Sequence, residues 1–147
     1  MKRTKLKERC LPNYTKGEEI MNMTSHIVGG VIGITSLVLC LIFSVKHHNG
    51  YGIAGSIVFG ISMILLYTVS SVYHGLRKGT AKKVMQVIDH CTIFVLIAGT
   101  YTPVLLCSVR TYNSSLAWSL FAVIWFFAIL GIVLNAIDLK KYKIFSM

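Results

Sequence analysis

Of 147 residues, 54% are hydrophobic and only 14% are charged, about half the charged share of a soluble globular domain, which excludes a water-soluble fold. The net charge of +10 invites a nucleic-acid partner, but the placement of the cations along the chain answers to membrane insertion, and no nucleic acid is expected. Four cysteines, Cys10, Cys40, Cys91 and Cys107, form no CxxC pair and no zinc-ribbon spacing, which excludes a disulfide framework.

A bilayer-spanning helix needs about 20 mostly apolar residues. Four stretches meet this, at residues 26–45, 51–74, 84–108 and 116–137. All are too long for the strands of an outer-membrane barrel, which alternate over about 10 residues. The predicted fold class is therefore all-α, a polytopic transmembrane helix bundle over residues 20–139 with membrane lipids around it. Ahead of it lies a basic, polar tail, residues 1–19 (MKRTKLKERCLPNYTKGEE). No small-residue cleavage site follows the first apolar run, so the first span reads as a retained signal anchor.

Thirteen of the lysines and arginines fall in that tail, in the second loop (Arg77, Lys78, Lys82, Lys83) and in a basic C-terminal tail at 140–147; only Lys46 and Arg110 fall in the other loops. The positive-inside rule then predicts both termini in the cytoplasm of a multi-pass inner (plasma) membrane protein, their cations near anionic headgroups.

The first span opens with HIVGGVIG, where Gly29 and Gly33 lie about one turn apart. Such spacing lets backbones approach, as ordinary packing or as a regulatory dimer face. His26 stands at the cytoplasmic mouth of this span, while His47 and His48 fall in a loop and read as solvated. The second span repeats the small-residue spacing at Gly52, Ser56 and Gly60. It ends in a polar stripe, Tyr67, Ser70, Ser71 and His74, at the i, i+3, i+4, i+7 positions of one helix face.

The third span carries QVIDHCT, with Gln86, Asp89, His90 and Thr92 close together. Asp89 lies six residues past Lys83, about 9 Å along a helix. A carboxylate at that depth costs on the order of 2.5–3.5 kcal/mol by insertion scales unless paired, hydrated or protonated, so it is a functional candidate. The same span contains GTYTP, in which Pro103 deprives the Gly99 carbonyl of its partner; Thr100 and Thr102 are expected to satisfy it. The fourth span is aromatic throughout, ends near Asn135 and Asp138, and is assigned lipid contact and packing.

A short second loop makes spans two and three antiparallel neighbours, so Ser70, His74 and Asp89 form a candidate polar cluster at the inner leaflet. Imidazole is the commonest neutral metal ligand, and carboxylate and hydroxyl suit a supporting shell. One histidine and one aspartate cannot close a zinc site, which takes at least three protein ligands. The plainer readings are that His74 and His90 hydrogen-bond a neighbouring helix and that Asp89 pairs with His90, His74 or Lys83. No nucleophile elbow, phosphate-binding glycine loop or HExxH is present.

The strings GEEIMNMTSHIVGG, SSVYHGL and IDHCTIFVLIAGTYTP resemble the haemolysin III family, bacterial relatives of the adiponectin and progestin receptors, from about residue 17 onward. The resemblance implies a seven-helix bundle with a cytoplasmic N-terminus and a zinc ion near the inner leaflet. It makes His74 a zinc ligand, Asp89 the carboxylate that orients a zinc-bound water, and Ser70 its supporting hydroxyl. The other two ligands, an HxxxH pair in the last span, have no counterpart before Met147.

The chain is therefore expected to be a fragment, inactive by itself, of a metal-dependent lipid amide hydrolase. Its polar stripe would face lipid unless the missing C-terminal spans or a second copy cover it. The alternatives are a membrane-permeabilising haemolysin or channel-like protein, and a non-catalytic sensor or lipid-homeostasis scaffold.

Overall fold

The computed structural model describes residues 10–138; residues 1–9 of the basic N-terminal tail and the C-terminal tail at 140–147 lie outside the described residues. The chain forms α1 (Lys16–Lys46), α2 (Gly50–Gly75), α3 (Thr80–Val104), a π-helical turn (Leu105–Val109), a short α4 (Arg110–Tyr112) and α5 (Ser114–Asp138). From Thr80 to Tyr112 the third rod is continuous over 33 residues. Four rods among the described residues are thus long and apolar enough to cross a membrane, and the fold is an all-α transmembrane bundle.

The second and fourth rods match the predicted spans to within two residues at each end, but α1 starts ten residues before its predicted span. Its start is set by a capping box: Thr15 Oγ1 accepts from the Glu18 amide at 3.3 Å, and the Glu18 carboxylate accepts from the Thr15 amide at 2.7 Å. Glu18 and Glu19 in the first turn complement the positive end of the helix. With 31 residues, α1 reaches ~46 Å, well beyond the ~30 Å hydrocarbon core, so its first turns project past the apolar layer. They stand beside the end of α2.

Helices adjacent in sequence pack antiparallel, α1 on α2 and α2 on α3, while α5 lies on α3. Without water to drive association, such packing rests on close backbone approach at small residues. A Cβ on Gly29 would stand 2.6 Å from the Tyr67 ring, and one on Gly55 would stand 2.9 Å from Pro103 Cα. The paired small residues therefore serve packing within the chain. Outward, large apolar side chains such as Phe43, Phe126 and Phe127 remain exposed, as a lipid solvent favours.

Because Pro103 backbone cannot swing aside as a side chain would, Gly55→Ala is expected to destabilise the bundle by about 1–3 kcal/mol. Gly17→Ala, with nothing within 4 Å of the added Cβ, serves as the neutral control. Unfolding of the two purified variants in detergent checks the difference; equal stability would refute the close approach.

Around Pro103 the threonines behave differently from the expectation. Thr102 Oγ1 donates to Ala98 O and Thr100 Oγ1 to Ile97 O, each at 2.8 Å, so neither serves Gly99 O. Thr102 takes the carbonyl four residues back rather than three, a rotamer that also lets it accept from Trp125 Nε1 of α5 at 3.3 Å. Past the proline the ladder widens into the π-helical turn, where the Arg110 amide reaches Leu105 O.

Candidate functional site

The start of α1, the end of α2 and the start of α3 meet at one end of the bundle around Glu19. Its Oε1 accepts from Lys82 Nζ at 2.6 Å and its Oε2 from His74 Nδ1 at 2.7 Å. Lys82 is only 2% exposed, an expensive position for an ammonium unless it is paired and fully hydrogen-bonded. It also donates to Leu76 O at 3.0 Å and to His74 O at 3.4 Å. All three ammonium protons thereby find acceptors, two of them carbonyls at the negative end of α2. The ammonium further stands 5.2 Å from the centroid of the Tyr73 ring.

Glu19 selects the tautomer of His74. A carboxylate can only accept, so Nδ1 carries the proton, and in the neutral ring Nε2 keeps its lone pair. Nε2 has no hydrogen-bond partner among the described residues. The His26 ring lies nearly parallel to His74, with centroids 5.8 Å apart and planes at 6°. Tyr73 and Tyr14 enclose the imidazole further, at 4.8 and 5.8 Å between centroids. His26 Nδ1 and Tyr73 Oη are buried without a hydrogen-bond partner among the described residues.

Ser70 is buried one turn before His74 on α2. Asp89, on α3, has a side chain that is 13% exposed. Its Oδ2 stands 3.8 Å from His90 Nδ1, too far for a hydrogen bond, and that nitrogen donates instead to Gln86 O at 2.8 Å. His74, at the end of α2, and Asp89, in the first half of α3, thus lie toward the same end of the bundle. No direct hydrogen bond or ion pair links Ser70, His74 and Asp89 among the described residues.

One expectation is corrected here. The polar stripe does not need further spans to leave lipid: the His74 and Asp89 side chains are 8% and 13% exposed, Ser70 is buried, and Tyr67 covers Gly29 of α1. The cause is the early start of α1, which lays Glu19 and His26 over the end of α2. Lys82, read as a loop cation, is buried for the same reason. Thr15 and Glu18, in capping-box spacing, were the available sequence signal; they start the helix at Lys16 and put Glu19 and His26, seven residues apart, on one face.

As a metal centre the arrangement fits one coordination position. The atom available for it is His74 Nε2, whose ring is backed by the Glu19 carboxylate, as the rings of metal-ligating histidines commonly are. Among the described residues no group of three His, Cys, Asp or Glu side chains converges, short of the three ligands that a zinc site takes. A buried imidazole with its tautomer held can also accept a proton.

Comparison with known proteins identifies relatives of this chain. Over 125 residues, 85% of this chain and 56% of the relative, the sequence is 36% identical to Hemolysin-3 of Bacillus cereus. Over 133 residues, 90% of this chain and 61% of the relative, it is 35% identical to the Hemolysin-3 homolog of Bacillus subtilis (strain 168). The chain thus spans about three fifths of the length of these relatives. No solved structure matches. The family model described as haemolysin-III related matches residues 14–147, from just before the capping box that carries Glu19 into the cluster, and the chain belongs to that family.

Proposed function

We propose that the longer protein to which this chain corresponds is a zinc-dependent hydrolase of lipid amides in the inner (plasma) membrane, with both termini cytoplasmic. This chain contributes His74 as one ligand, Asp89 as the carboxylate that orients or deprotonates water, and Ser70 as a supporting hydroxyl. The observation that carries the reading is the Glu19–His74 hydrogen bond, which leaves a basic nitrogen without a partner in a sheltered polar layer. Bound zinc supplies Lewis acidity, which favours attack on an amide carbonyl. The remaining ligands would come from outside the described residues, and the chain alone is expected to be inactive.

The test is the longer gene product, purified in detergent and assayed for metal content and for release of fatty acid from a ceramide-type amide. Stoichiometric zinc with chelator-sensitive release is expected; a fully folded product without metal would overturn the reading. The name Hemolysin-3 borne by the Bacillus cereus relative supports a second reading, direct membrane permeabilisation. Ion conductance in bilayers containing only the purified protein would favour it over hydrolysis.

A further inference from the structure

The opposite end of the bundle holds a shallow cavity, open to its surroundings, between the α1–α2 turn and the end of the third rod, lined among others by His47, His48, Asn49, Tyr51 and Arg110. Arg110 is held in place: its Nε donates to Leu106 O at 3.0 Å, and its guanidinium carbon lies 3.5 Å from the centroid of the Tyr51 ring. One of five guanidinium N–H groups is thereby spent, and the Nη groups have no acceptor among the described residues. Asn49 Oδ1 is also committed, accepting from the Gly52 amide at 2.9 Å, which leaves its NH₂ as a donor. The side chains of His47 and His48 are exposed and make no hydrogen bond among the described residues.

The cavity is thus lined by donors and groups able to carry positive charge, and nothing there competes for them with negative charge. No acidic residue lines it, and the acidic side chains Glu18, Glu19 and Asp89 belong to the other end of the bundle. A guanidinium with free terminal N–H groups, held over an aromatic ring, matches phosphate bidentately. The cavity also sits where α1 ends and α2 begins, the level of lipid headgroups in a bilayer. We infer that it is a phosphate-binding site, with Arg110 as the anchoring donor and the phosphate supplied by a phospholipid headgroup or by the aqueous phase. The inference does not rest on the proposed hydrolase activity.

Calorimetric titration of the purified chain in a phosphate-free maltoside micelle tests it, with inorganic phosphate and dihexanoyl phosphatidylglycerol as separate probes. Binding of either probe, weakened about tenfold or more by Arg110→Gln and partly restored by Arg110→Lys, supports the site. Preference for the phosphatidylglycerol identifies the lipid as the source, and equal or better binding of inorganic phosphate identifies the aqueous phase. Helical circular dichroism equal to that of the parent verifies that the variants are folded. Binding unchanged in folded Arg110→Gln, or no binding of either probe to the parent chain, would overturn the inference.

Discussion

Replacing Glu19 with alanine is expected to destabilise the bundle by about 3 kcal/mol, the lower end of the range for breaking a buried ion pair. The loss arises less from the missing attraction than from what remains. Lys82, 2% exposed, would keep its charge with only the carbonyls of His74 and Leu76 as partners. Glu19 is itself 15% exposed on its side chain, which holds the effect to that lower end. Combining Glu19→Ala with Lys82→Met removes the stranded charge and should recover most of the loss. Unfolding in detergent of the two single variants and the double variant measures the coupling. A Glu19→Ala chain as stable as the parent, or a double variant no better than Glu19→Ala, would mean that the cluster does not hold the helix ends together.

His74→Ala in the longer protein is expected to abolish stoichiometric zinc, while His90→Ala leaves it bound. The two residues differ in what their nitrogens do. His74 spends Nδ1 on a carboxylate and presents Nε2 within a layer that also holds His26 and Tyr73. His90 spends Nδ1 on the carbonyl one turn back along its own helix. Glu19→Gln should weaken zinc by about 10–100-fold, the usual loss when the group behind a ligating histidine is changed. Elemental analysis of the dialysed proteins reads all three. Zinc retained by folded His74→Ala would remove that residue from any metal site and with it the hydrolase reading.

The two sets of variants separate structure from chemistry. Lys82 stabilises the cluster without offering a lone pair, so its role reads out in unfolding. His74 can serve in both, and only a metal measurement distinguishes them. A folded Glu19→Gln chain that lost stability but kept full zinc affinity would confine Glu19 to the structural role.

Much of this architecture was legible in the amino-acid sequence, because it depends on local properties. Unbroken apolar length determined four helical spans, and loops of a few residues left antiparallel packing as the outcome for spans two and three. The polar side chains Ser70, His74 and Asp89 stood out because each costs free energy in a hydrocarbon layer. Tertiary structure alone decided what those side chains meet. Glu19 is 55 residues from His74 and 63 from Lys82, and it looked like part of a polar tail until its helix was seen to start at Lys16. The orientation of Thr102 was likewise decided by Trp125 on another helix. Span location follows from the solvent around each segment, whereas pairing depends on where separate helices end in space, and a helix that starts ten residues early moves a charge from water into a buried cluster.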